Sequence, residues 1–333
     1  MGCLHSKNSG DKNVRSINLQ NKKTEFRYDD GRRFYGVKDA IYQLPNDEDE
    51  QDRLHLQHFL IRYLFQSNFS SPIENILDKP GTKILDIGCG PGSWSFDMAT
   101  AFPFVDVIGL DMSPHQPSYI KPRNFTFVKA NVLEGLPFDD NTFDFVFQRC
   151  MVFAYPKAEW PNVMNELVRV LKPGGFLELC EPSPVYDMGP TTQRIWEAEI
   201  DLVRQKGLEP NLSHMIEKFV QNQGQLENIN KLVRQNYHGE KTNNAQLSKV
   251  AISNLRSLYE AFKPSLTKFL KISNEEFDEM VKASEKELFE FDSYYYFTRV
   301  YARKSVEINE KPQLVFENES KPNSDNEKEL KYT

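Results

Sequence analysis

The chain has 333 residues, 39% of them apolar and 12% aromatic, enough to bury a sizeable core in one large or two small domains. Its net charge of −7 argues against nonspecific nucleic-acid binding, which needs a basic face, and its apolar runs are too short to span a bilayer. Cys3, Cys89, Cys150 and Cys180 form no C-x-x-C pair, and no secretory segment stands at the start, which reads as a reducing, intracellular compartment.

Residues 1–30 are polar and lack periodicity, so a disordered arm is expected there. Its first residues, Met1-Gly2-Cys3-Leu4-His5-Ser6-Lys7, match the pattern for myristoylation of Gly2, with Cys3 open to palmitoylation. Lys7, Lys12, Arg15, Lys22, Lys23 and Arg27 outnumber Asp11 and Glu25, a balance that suits an anionic cytoplasmic leaflet. The competing reading is a chance Met-Gly start, which leaves the protein in the cytoplasm or nucleus. Pro45-Asn46-Asp47 then starts a helix, with Asp47 and Glu50 spaced as a capping box. Leu54, Leu56, Phe59, Leu60, Tyr63 and Leu64 supply its apolar face. His55 and His58 have no ligand-rich partner nearby and read as an ordinary helix face, so no metal is expected.

The run Lys83-Ile84-Leu85-Asp86-Ile87-Gly88-Cys89-Gly90-Pro91-Gly92-Ser93-Trp94 reads as a buried strand turning sharply into a helix. Its glycines remove Cβ atoms where a ligand can lie against the backbone. Val105 to Leu110 is a second strand ending in Asp111, an acid placed to take both hydroxyls of a ribose. A dinucleotide fingerprint needs Gly or Ala at position 93, where this chain has Ser93, so a nicotinamide oxidoreductase is disfavoured.

The pattern Asp-x-Gly-x-Gly-x-Gly at Asp86–Gly92 resembles motif I of class I S-adenosylmethionine (SAM) dependent methyltransferases. Further matches follow in order: Phe125–Val132, a third strand; Leu136–Phe147, a turn into a fourth; and Glu166–Leu177, a helix ending at Lys172-Pro173-Gly174-Gly175 before a fifth strand that ends near Glu181. Arg33–Gly36, Tyr42–Asp47 and Arg53–His58 resemble the lead-in of fungal methyltransferase-domain proteins, among them regulators of secondary metabolism. The resemblance covers about residues 33 to 303.

It implies an α/β fold: a Rossmann-like seven-stranded sheet flanked by helices, with a helical insertion between the last two strands. Helices are expected over Thr191 to Lys206 and Ser213 to Gln221, and a strand over Ile229 to Tyr237. The insertion runs from about Asn244 to Phe291 with a break near Pro264, and Tyr294–Tyr301 is the last strand. The domain spans 31–306 with its core at 76–182, and 307–333 is a charged, disordered tail.

The cofactor implied is SAM, held by Asp86, Gly88, Cys89, Gly90, Gly92, Asp111, Met112, Asn131, Val132 and Gln148. Asn131 departs from the usual Asp; its oxygen still accepts from an adenine amino group, without the charge. Cys89 has no base or resolving partner and reads as packing in that loop. Gln148-Arg149-Cys150-Met151 replaces the Asn/Asp-Pro-Pro-Tyr motif of DNA and glutamine amino-methyltransferases, which disfavours both acceptors. Arg149, Tyr155 and Glu181, at strand ends, are the acceptor-side candidates; the competing reading is an Arg149–Glu181 structural pair and a packing Tyr155. The expected function is methyl transfer to a small-molecule or protein acceptor. The alternative is a membrane-tethered SAM-binding regulator with little or no turnover.

Overall fold

The computed structural model describes residues 26–36, 42–113, 120–242 and 244–306. Gly2, Cys3, most of the N-terminal arm and the tail from 307 lie outside these residues. Folded structure begins inside the stretch expected as an arm: Phe26–Asp29 (β1) pairs antiparallel with Arg32–Tyr35 (β2). The hairpin is tied down by charge. Arg32 grips Asp47 with two hydrogen bonds of 2.6 and 2.8 Å, and Lys268 reaches Asp29 at 2.6 Å.

Asp47 caps helix Glu48–Phe65 (α1), accepting from the Glu50 amide at 3.1 Å. Only half of the expected capping box forms. The Glu50 side chain turns to Arg53 and accepts two hydrogen bonds, at 2.8 and 2.6 Å, in a fully buried pair. The buried face of α1 is therefore partly polar: Glu50, Arg53 and His58 lie inside with Leu60 and Ile61. Phe59 and Tyr63, expected on the apolar face, are exposed.

A short helix, Glu74–Leu77 (α2), leads into the sheet. The strands are Lys83–Ile87 (β3), Asp106–Asp111 (β4), Phe125–Lys129 (β5), Phe143–Arg149 (β6), Leu171–Pro182 (β7), Leu226–Tyr237 (β8) and Tyr294–Lys304 (β9). Their order is β5-β4-β3-β6-β7-β9-β8, parallel from β5 to β7, with β9 antiparallel to both β7 and β8. The sheet reverses direction of growth beside β3, the switch point where ligands bind in open α/β folds.

Alternation along the strands sorts the core. Leu85, Ile87 and Val146 face the cluster built with Trp160–Val170 (α4) and Leu212–Asn222 (α6). Ile84, Phe145 and Phe147 face the one built with Ser93–Ala101 (α3), where Trp94 stacks on Phe147 at 4.1 Å. Lys172-Pro173-Gly174-Gly175 does not separate α4 from β7. The helix stops at Val170, and these residues form an irregularity inside β7 between its pairings at Leu171 and Phe176. A Cβ on Gly175 would stand 2.7 Å from the Asp144 carbonyl oxygen, so the close approach there requires glycine.

A helical layer completes the fold: Pro190–Gln205 (α5), Ala245–Leu270 (α7) and Asn274–Glu290 (α8) pack together, with α1 against α7. The insertion lies between the last two strands, but its break is not at Pro264. That proline sits inside α7, and the helix ends at Lys271, in a left-handed conformation. A buried proline costs a helix about 3 kcal/mol. Tyr259 and Phe262 before it and Leu266 after it are buried in one cluster, which offsets that cost.

Candidate functional site

The loop after β3 has three glycines with positive φ, Gly88 at 66°, Gly90 at 51° and Gly92 at 87°. Two of its amides, Gly88 and Cys89, donate to the Leu110 carbonyl at 2.8 and 3.1 Å, which pins the loop to the end of β4. The Asp111 carboxylate completes the tie, accepting from the Gly90 amide at 3.0 Å and the Ser113 amide at 2.9 Å. A carboxylate, a bare glycine backbone and the first turn of α3 thus meet at one strand edge. Met112 follows Asp111 at this mouth, half-buried.

Above the loop lies α1. His55 Nδ1 is 2.6 Å from Ser93 Oγ, and His58 Nε2 is 3.0 Å from Asp97 Oδ2, so both histidines clamp α1 onto α3. Leu54 stands 3.6 Å from where a Gly90 Cβ would be. From the other side, Met151 covers Gly88, whose Cβ would be 2.5 Å from the sulfur.

Other expected residues turn inward. Asp86 is buried and accepts from Ser95 Oγ at 2.6 Å; burial pushes its carboxyl up to about 7. It ties α3 to β3 rather than facing the loop. Cys89 packs, with Sγ 2.9 Å from a Gly109 Cβ position. Asn131 caps the turn Val132–Glu134, accepting from the Leu133 amide at 3.1 Å and donating to Glu134 at 3.1 Å. Val132 is part of the core.

The acceptor-side candidates do not converge. Tyr155 is buried edge-on against Trp160 and donates to Gln148 Oε1 at 3.3 Å; Gln148 is itself buried, with Nε2 unpartnered. Glu181 is buried beneath the chain that follows β6, where it accepts from the Met151 amide at 2.9 Å; burial raises its carboxyl to about 8. Among the described residues no ion pair joins it to Arg149. Arg149 is half-buried at the end of β6, and its charge counteracts the rise at Asp86.

A cavity of about 90 Å³ lies next to this loop, under the helical layer. None of Arg149, Tyr155 and Glu181 lines it. Its walls come from α1, α5, α7, β9 and the segments after β6 and β7, and they include Arg53, Leu54, Cys150, Glu199, Asn254 and Tyr295. Glu199 and Asn254 were not singled out from the sequence. A signal was present: Thr192, Ile195, Glu199 and Val203 form one helical stripe, buried throughout, with a carboxylic acid in the middle. Burial raises the Glu199 carboxyl to about 8, against the opposing effect of Arg53.

Residues 84–175 match the methyltransferase domain family. The chain is 38% identical over 165 residues to the methyltransferase pytC of Aspergillus terreus, covering 49% of this chain and 48% of that one. It is 32% identical over 171 residues to the secondary metabolism regulator laeA of Aspergillus fumigatus, covering 50% and 44%. The matches span about half the length of these relatives. Among solved structures, a Haemonchus contortus phosphoethanolamine N-methyltransferase 2 aligns over 82% of this chain and 62% of its own, with TM-score 0.48 and 19% identity.

Proposed function

Because residues 84–175 match the methyltransferase domain family, we propose that this chain transfers a methyl group from SAM to a small-molecule acceptor. The observation that carries the reading is Asp111, fixed by the amides of Gly90 and Ser113 beside three glycines with positive φ. The donor set fits the cofactor. Asp111 would accept from ribose hydroxyls, and Met112 and Asn131 are the residues that would meet the adenine. The stripped backbone of Gly88 to Gly92 would take the methionine portion.

SAM supplies an activated methyl group on a sulfonium. When bound, it would pass that methyl to the acceptor's nucleophilic atom, the carbon–sulfur bond breaking with its electron pair left on sulfur and the acceptor's proton passing to solvent. The residues of this chain align the two reactants and exclude water, which is worth up to roughly 7–11 kcal/mol without a dedicated acid or base. The helical layer with α1 is the part that closes the site.

Calorimetric titration tests the reading. Asp111→Ala should weaken SAM binding at least about tenfold, since each charge-assisted hydrogen bond contributes about 1.5–3 kcal/mol. Equal affinity in wild type and variant refutes the ribose role. SAM binding with no label transferred to any cellular component would favour the regulatory alternative. Acylation at Gly2 and Cys3 is a separate proposal resting on the sequence pattern. Gly2→Ala should move the protein from the membrane fraction to the soluble one, because a single remaining signal anchors only marginally. A variant that still pellets like wild type overturns it.

A further inference from the structure

The cavity under the helical layer holds more polar groups than its own residues satisfy. Glu199 Oε2 and Asn254 Oδ1 are buried and have no hydrogen-bond partner. Each such group costs about 1–3 kcal/mol when left unpaired in a folded protein. Among the described residues the strong cation on the wall does not relieve them: the Arg53 guanidinium is engaged by both oxygens of Glu50 at 2.8 and 2.6 Å. Glu199 Oε2 and Asn254 Oδ1 are therefore open to a partner from outside the chain.

The rest of the wall is apolar. Leu54, Val152, Trp196, Ile200, Leu258 and Phe297 surround the polar groups. The volume of about 90 Å³ holds roughly half a dozen waters, so it suits a small molecule or fragment rather than a folded segment of a protein. Leu54 joins the cavity to the glycine loop, lining the first and standing 3.6 Å from the Gly90 Cβ position in the second. Cys150 lines the cavity, and its neighbour Met151 covers Gly88.

We propose that this cavity is the acceptor site and that it takes a small, mostly apolar amine, with nitrogen-bound hydrogens directed at Glu199 and Asn254. As an acceptor site it rests on the methyl-transfer reading. An alcohol or phenol has a single donor hydrogen and leaves one acceptor unpaired. A neutral amine nitrogen has two, and it keeps the lone pair that methyl transfer requires. Glu199 and Asn254 thus select the acceptor atom, while the apolar wall selects the body of the molecule.

The experiment uses the full chain saturated with S-adenosylhomocysteine and three probes of one shape: benzylamine, benzyl alcohol and ethylbenzene. Binding is read by calorimetry and by saturation-transfer NMR. Benzylamine should bind tightest, at least about tenfold tighter than ethylbenzene. Glu199→Leu should lose that margin while keeping ethylbenzene affinity, and Glu199→Gln, which preserves shape, should lose part of it. Both should hold S-adenosylhomocysteine within about twofold of wild type. Equal binding of the three probes, preference for benzyl alcohol, or unchanged benzylamine binding in both variants overturns the proposal. The series is repeated without S-adenosylhomocysteine. If the wild type fails to bind that nucleoside, the methyl-transfer reading falls, and the amine preference of the cavity is still decided by the second series.

Discussion

Glu178 and Glu199 are both buried glutamates in the same chain, and they differ in how many donors meet them. Glu178, in the middle of β7, accepts three hydrogen bonds at Oε2, from the Ser70 amide, the Ser71 amide and the Ser71 hydroxyl, each at 2.8 Å. Its other oxygen faces Arg299 at 3.5 Å, and that guanidinium donates to Ser70 Oγ and the Ser67 carbonyl and lies 4.0 Å over the Phe65 ring. Glu199 has a cavity in front of it and no donor on Oε2. A buried charge met by three donors on one oxygen and faced by a guanidinium on the other holds elements together, here the segment after α1 to the centre of the sheet. A buried acid left unpaired on a cavity wall destabilises the chain that carries it, and its use lies in what enters the cavity.

Removing each carboxylate separates the two most sharply. Glu178→Ala strands the Arg299 charge and three donors, and should cost about 3–5 kcal/mol in denaturant titration. Glu199→Gln should stay within about 1 kcal/mol of wild type near neutral pH, since no native hydrogen bond is lost. A Glu199→Gln loss as large as that of Glu178→Ala would break the comparison.

pH sharpens it. The Glu199 carboxyl sits at about 8 in the folded chain against 4.5 for a free glutamate, so the folded state holds a proton that the unfolded state releases. Its contribution is full below about pH 4.5 and is lost as pH rises to about 8, at most about 1.4 kcal/mol for each pH unit. Asp86, raised to about 7, and Glu181, raised to about 8, act with the same sign. Wild-type stability should therefore fall between about pH 5 and 8, and Glu199→Gln should flatten part of that slope. A slope equal in variant and wild type would show that Glu199 is ionised when folded.

A smaller effect is expected at Tyr155, which separates packing from chemistry beside the same loop. Tyr155→Phe removes the hydroxyl that meets Gln148 Oε1 at 3.3 Å and leaves that buried amide with no partner at all. The expected loss is about 1–2 kcal/mol of stability with SAM affinity unchanged. A normal melting curve with reduced turnover would instead return Tyr155 to the acceptor side.

The glycine loop, its strand and Asp111 were legible because their signals are local. Positive φ requires glycine within a few residues, and the strand-end acid is set by counting along one β-strand–helix unit. The seven strands, with a helical insertion between the last two, followed from the resemblance those motifs carry; their order came from the structure. Local signals misled where tertiary contacts compete with them. Pro264 breaks an isolated helix, but burial on both sides of it keeps α7 continuous. Glu50 fits a capping box, yet the buried Arg53 claims its carboxylate. Phe26–Asp29 lacks any periodic pattern and became a strand because Asp47 and Lys268, distant in sequence, hold the hairpin.

Sequence by itself determined the glycine loop and the strands that hold it, since they are built from neighbours along the chain. Only the tertiary structure decided which acids are satisfied and which face a cavity. Glu178 and Glu199 differ by what α1, α7 and β9 bring against them, and those partners lie far away in the chain. No spacing rule encodes that difference, because the cost of burying a carboxyl depends on the donors that folding delivers to it.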